Sequence, residues 1–134
     1  MSADPRARYL HQRVMTATPG QRVVMLYDRL ALDLTRADDA LADTVSDVYS
    51  AGQHVDHAMQ IVAELAGSLR HERGGPADNL ASIYYYLLGE LTAVRGGATA
   101  RLAGARDIVG TLRDAWSTAV TSTMAPAAAG AWVG

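Results

Sequence analysis

Apolar residues recur at alternating steps of three and four along four stretches of the chain, the period of an amphipathic helix. The first stretch holds Val23, Leu26, Tyr27, Leu30, Leu34, Ala37 and Leu41, and the second Val55, Ala58, Val62, Leu65 and Leu69. The third holds Leu80, Ile83, Tyr84, Leu87, Leu91 and Val94, and the fourth Leu102, Ala105, Val109, Leu112 and Trp116. Each set closes into one apolar stripe, with polar residues over the rest of the helix. No stretch sustains the two-residue alternation of a strand between hairpin turns, so no sheet is expected.

The residues between the stripes agree with this division. Thr18-Pro19-Gly20-Gln21 sets a hydroxyl at the N-cap, proline at the first helical position and glutamine at the third. That is a capping box, with proline where its missing N–H leaves nothing unpaired. Gly74-Gly75-Pro76 and Gly96-Gly97 supply C-cap glycines and breaks. The first reversal falls somewhere between Asp38 and Asp47. The expected helices cover roughly 19–41, 47–71, 77–95 and 98–120, each about 20 residues or about 30 Å long. Short connections turn neighbouring helices antiparallel, so the expected fold class is all-α. The expected architecture is an antiparallel up-down-up-down four-helix bundle, one domain over residues 1–120. Residues 1–17 form a short arm, partly apolar between Tyr9 and Met15. Residues 121–134, low in complexity from Met124 onward, are expected to be a disordered, flexible tail.

Five glycines, Gly52, Gly67, Gly89, Gly104 and Gly110, fall inside these helices, each costing about 1 kcal/mol against alanine. Two readings stay open. They allow close helix approach or reflect drift in composition, or they leave grooves in which another helix lies.

Composition narrows the chemistry. A length of 134 residues suits one domain that buries roughly two-thirds of its unfolded surface. Although 49% of residues are apolar, no uncharged run approaches the roughly 20 residues of a bilayer crossing, so no membrane insertion is expected. The start, Met1 to Arg6, carries charge with no apolar run behind it, so no secretory signal is expected. Cys is absent, which removes disulfides, thiolate metal sites and thiol nucleophiles. Lys is absent too, which removes Schiff-base chemistry. A formal charge of −2 gives no reason to expect a nucleic-acid partner. With no Phe, aromatic mass rests on six Tyr and two Trp, and a phenol suits a wet, partner-ready surface.

Catalysis is not expected either. A two-metal helical bundle needs Glu-x-x-His pairs, and none of Glu64, Glu72 and Glu90 has His three residues on. His54 and His57 share a helix face without an evident third ligand. Asp38, Asp39, Asp43 and Asp47 read as turn and N-cap residues. No nucleophile elbow or phosphate-cradling loop occurs. No metal and no cofactor is expected.

One family resemblance stands out. Tyr9-Leu-His-Gln-Arg-Val14-Met-Thr-Ala-Thr18-Pro-Gly, followed by Val24-Met-Leu-Tyr27-Asp28, resembles the N-terminal signature of the FliS family of flagellar export chaperones. Ala58, Ile61-Val62, Glu64-Leu65 and Ser68-Leu69 resemble its second helix. Gly74-Gly75, Asn79-Leu80 and Tyr84-Tyr85-Tyr86 resemble its third, and Arg113-Asp114-Ala115-Trp116 its closing Trp motif. The likeness runs in order from about residue 9 to residue 116. Arg22 stands where the family has Leu, Arg29 where it has Gly, Tyr85 where it has Asp and Ile83 where it has Leu.

The resemblance implies a cytoplasmic chaperone that binds the C-terminal segment of flagellin, which is disordered when alone. The client lies as helices in apolar grooves of the bundle, is kept from premature polymerisation, and is presented to a component of the flagellar export gate. It also implies that the N-terminal arm can occupy part of the groove until the client displaces it. The expected state is a monomer or weak homodimer.

Helix-in-groove binding asks for apolar pockets with polar rims. The candidate lining is Leu26, Tyr27, Leu65, Leu69, Ile83, Tyr84 and Leu87; the competing reading is that these are bundle core. Consecutive helical residues lie about 100° apart, so Tyr84, Tyr85 and Tyr86 cannot all face inward. Tyr85 or Tyr86 is expected at a rim, in contact with the client. In the arm, Tyr9, Leu10 and Val14 are candidates, with Leu10 and Val14 on one helical face; a frayed terminus is the alternative. The competing function is a structural or regulatory bundle that self-associates through its apolar stripes, without a flagellin client.

Overall fold

The computed structural model describes residues 4–43, 45–69 and 76–122, without the side chains of 13–15 and 76. Among these residues the chain is all-helical. The elements are α1 (Pro5–Thr16), α2 (Pro19–Ala42), α3 (Val48–Gly67), α4 (Pro76–Arg95), a 3-10 turn (Thr99–Arg101) and α5 (Leu102–Thr121).

The boundaries follow from local chemistry. Thr18, extended at φ −66° and ψ 162°, accepts the Gln21 N–H on its hydroxyl at 3.2 Å. The Gln21 side-chain oxygen accepts the Thr18 N–H in return at 2.9 Å, which closes the capping box. Helix α3 starts where the Asp47 carboxylate accepts the Ser50 N–H at 2.9 Å. It stops at Gly67, where the Ser68 hydroxyl donates to the Glu64 carbonyl at 2.9 Å. The sequence pattern carries that helix on to 71; residues 70 and 71 lie outside the described residues. Helix α4 ends in a left-handed glycine, Gly97 at φ +115°. Its N–H donates to Val94, and that of Ala98 to Ala93, the paired bonds of a Schellman turn. Gly74 and Gly75 lie outside the described residues. The tight turn at 99–101 delays α5 to Leu102, four residues after the start that periodicity suggests.

The arm is itself helical, which its sequence pattern does not announce. Asp4 accepts the Arg6 N–H at 3.1 Å and Pro5 takes the first helical position. Every residue from Asp4 to Gln12 is exposed.

Helix α2 packs against α3 and α5, α3 against α4, and α4 meets α5 more sparsely. The core runs through all four long helices. Leu30, Leu34, Val62, Leu65, Leu87, Leu91 and Val109 are fully buried. Each such side chain contributes roughly 1.5–3 kcal/mol by leaving water. Among the described residues the one buried charge is Asp33 on α2, bonded to His57 Nδ1 of α3 and 3.3 Å from Arg29 Nε. At the rim Arg106 reaches Asp38 and Arg95 reaches Asp56, each at 2.9 Å. Such exposed pairs contribute at most about 1 kcal/mol each.

The glycines divide. A Cβ on Gly52 would meet the Arg95 guanidinium at 2.7 Å, so that site is occupied by a side chain lying across the helix. At Gly67, Gly89, Gly104 and Gly110 nothing lies within 4 Å, and close helix approach does not explain them.

Candidate functional site: a groove between α4 and α5

The three consecutive tyrosines of α4 point in three directions. Tyr84 is fully buried, while Tyr85 and Tyr86 are 70% and 57% exposed. Tyr86 stands one turn from Ser82 and Ile83, on the edge of α4 that faces α5. Across from it, α5 offers two adjacent rows, Ile108 and Leu112 along one and Asp107 and Thr111 along the other. Together these residues line an open groove of about 500 Å³. It opens where α4 meets α5 only sparsely and where the rim positions are short and polar. Ile83, Ile108 and Leu112 are half-buried and rest on the core, so the floor is apolar and fixed. Ser82, Thr111 and Asp107 supply the polar rim.

The core holds a buried polar link. The phenol oxygens of Tyr27 on α2 and Tyr84 on α4 are hydrogen-bonded, and Trp116 on α5 bonds Tyr27. An indole N–H only donates, so Tyr27 accepts that bond. Burial pushes the Tyr27 phenol up to about 12 against the opposing pull of these two bonds. It pushes Tyr84 up further still, with the neighbouring Tyr27 acting in the same direction. Both phenols therefore stay neutral at any physiological pH. They tie three helices together and contribute no charge to the site.

The candidate residues thus separate by depth. Tyr27, Leu65, Leu69, Tyr84 and Leu87 are closed into the core, and Leu26 is half-buried against it. For these positions the geometry is that of core rather than of groove lining. A phenol reaches the interior here because another phenol, 57 positions away, satisfies it. Of the proposed lining only Ile83 reaches the groove, joined by Tyr86 from the rim prediction. Tyr85 is exposed on another face of α4. Ile108 was missed by the stripe reading, because it lies one step from Val109 on α5. The available signal is the four-residue spacing of Ile108 from Leu112, which puts Ile108 at the edge of the stripe.

In the arm, Tyr9 and Leu10 are exposed and the Val14 side chain lies outside the described residues. Among the described residues, none of α1 lines the groove.

A second, more polar cleft of about 320 Å³ lies between the start of α2 and the end of α5, lined by Gln21, Val24, Met25, Asp28, Ser117 and Val120. The Arg29 departure has a structural partner, since its guanidinium covers the buried carboxylate of Asp33. Nothing in the structure explains Arg22, which is exposed.

Among the described residues no three His, Asp or Glu side chains gather as metal ligands. No helix there is long and apolar enough to cross a membrane. No curated relative matches the chain at a significant level. The family model for FliS, flagellar protein FliS, matches residues 1–123 and so spans every described helix and the whole of the α4–α5 groove. On that match, the chain belongs to the FliS family.

Proposed function

We propose that the chain is a cytoplasmic chaperone that holds the C-terminal segment of flagellin in the α4–α5 groove, keeps it from polymerising, and delivers it to the flagellar type III export apparatus. Family membership implies the flagellar chaperone role. The observation that supports the finer reading is an apolar floor with a polar rim on an open helix–helix seam. An amphipathic client helix fits such a seam by placing its i, i+3/i+4 and i+7 anchors along it. The helix packing supports an antiparallel up-down-up-down four-helix bundle as the scaffold.

In this reading Ile83, Tyr86, Ile108 and Leu112 touch the client. Tyr27, Tyr84, Leu65, Leu69 and Leu87 hold the floor from beneath, and Leu26 supports it at the side. Tyr85 meets the client where it leaves the groove and wraps the neighbouring face. The work is binding alone, and no reactive group takes part.

Titration calorimetry with flagellin from the same genome tests this, using full-length protein and a form lacking about the last 40 residues, roughly the span of two bundle lengths of helix. Binding is expected to vanish with the truncation, with a negative heat-capacity change from coupled folding. Tyr86→Ala is expected to weaken binding by about 2 kcal/mol, roughly 30-fold, as a central aromatic anchor does. Equal binding by both flagellin forms, or unchanged affinity in both Tyr86→Ala and Ile108→Ser, would move the client off this groove.

A further inference from the structure

The α4–α5 groove has a candidate occupant within the chain itself. After Asp114 no residue of the sequence carries a charged side chain, and Trp132 is the only aromatic residue after Trp116. Segments stay dispersed in water when they are rich in charge and poor in apolar mass, and this one has no charge at all. Trp132 and its neighbour Val133 bring a broad apolar face that an adjoining apolar surface can cover. Residues 123–134 lie outside the described residues, and 124–134 lie beyond the stretch that the family model matches.

Reach points to the groove. Helix α5 ends at Thr121, and Trp132 stands ten positions after Ser122. A coil of that length spans roughly 16–19 Å on average and at most about 35 Å. Leu112 and Ile108, the α5 wall of the groove, lie about 15 and about 21 Å back along the helix from Ser122. The average span thus matches the distance. That match gives a tethered group its highest effective concentration, in the millimolar range, where even a weak contact is occupied.

The groove also has what an indole needs. Ile83, Ile108 and Leu112 make its floor apolar, and Tyr86 stands over it with an exposed ring. Tyrosine and indole rings attract at edge or offset contact. An indole has one N–H to donate and accepts nothing, and the Asp107 carboxylate and Thr111 hydroxyl on the rim can both accept. The cleft between the start of α2 and the end of α5 is nearer the root of the tail, but Gln21, Asp28 and Ser117 make it wet.

We propose that the tail folds back along α5 and seats Trp132 in the α4–α5 groove, where it competes with the client. The competition rests on the client reading of that groove; the seat itself does not. A groove closed about 70 to 90% of the time lowers apparent client affinity about three- to tenfold. The arriving client displaces a tail that remains tethered, and the tail returns when the client leaves. The empty chaperone therefore does not present its apolar floor to other chains.

The emission of Trp132, taken as the difference between the full chain and its Trp132→Phe variant, tests the seat without any client. The expected emission is short in wavelength and shielded from acrylamide. It is expected to be the same from about 1 to about 100 μM, because the contact lies within one molecule. Tyr86→Ala is expected to expose the indole, with far-UV circular dichroism confirming intact helices. Calorimetry with flagellin tests the competition, and Trp132→Ala is expected to tighten binding about three- to tenfold. Emission and quenching like those of free tryptophan overturn the proposal. So does a shielded Trp132 that Tyr86→Ala and Ile108→Ser both leave unchanged, because the tail then sits elsewhere. Shielding that fades on dilution also overturns it, by assigning the tail to a second copy. A shielded Trp132 with client affinity unchanged by Trp132→Ala overturns the competition. Failure of the client reading looks different: flagellin then binds none of the chains while Trp132 stays shielded, so the seat stands and the competition falls.

Discussion

Tyr27 and Tyr84 bring two phenols into a largely aliphatic interior, where each satisfies the other and Trp116 bonds Tyr27. Removing either hydroxyl leaves a buried partner with a bond missing, which costs about 1–3 kcal/mol, and removing both still strands the Trp116 N–H that donates to Tyr27. Denaturant unfolding is expected to show Tyr27→Phe and Tyr84→Phe each destabilising, with the double variant losing less than the sum of the two. The pair also sets an alkaline limit. In the unfolded chain a Tyr loses its proton near pH 10, while the folded Tyr27 holds it to about 12. Above pH 10 the unfolded state thus binds fewer protons than the folded state, and stability falls as pH rises. For Tyr27 that loss is about 2 kcal/mol by pH 12, and the Tyr27→Phe, Tyr84→Phe double variant is expected to show a flatter decline. The sequence made plain that a buried phenol needs a partner. It did not show which, because residues 57 apart meet only through the packing of α2 against the rest. Arg29 is a similar case. Its i, i+4 spacing to Asp33 is legible, but the full burial of Asp33 depends on His57 arriving from another helix.

At the scale of elements, caps and glycines make separable contributions. Thr18→Ala removes the acceptor for the Gln21 N–H and is expected to cost about 1 kcal/mol, read by thermal or denaturant unfolding. Gly89 and Gly104 are exposed with open space around their Cβ positions. Gly89→Ala and Gly104→Ala are each expected to stabilise by about 0.5–1 kcal/mol, in the same unfolding assay, without changing client affinity. The start of α2 was legible because a capping box is a local pattern that nothing distant overrides. The start of α5 was not, because Thr99 to Arg101 close a tight turn whose residues carry no distinguishing signal. The groove was half legible. Three tyrosines in a row oblige some to face outward, but only the thin α4–α5 contact turns Tyr86 and Ile83 into one wall and Ile108 and Leu112 into the other.

Over the whole molecule, the core is continuous through the four long helices while α1 buries none of its residues from Pro5 to Gln12. Deleting residues 1–15 is therefore expected to leave the thermal midpoint within about 2 °C at low concentration, the shift that well under 1 kcal/mol makes in a domain this size. Client affinity is expected to stay unchanged as well, since none of the described arm residues lines the groove. Tighter binding after the deletion would mean that the arm covers the groove in solution. Trp116 adds an optical property to this architecture. Its indole is 3% exposed and hydrogen-bonded to Tyr27, at a point where three helices meet. Its emission thus reads the dielectric of the interior, short in wavelength while the helices hold together and longer once water enters. A client seated on the outer seam leaves that colour alone, so with Trp132→Phe one fluorescence trace distinguishes a loaded chaperone from an unfolding one.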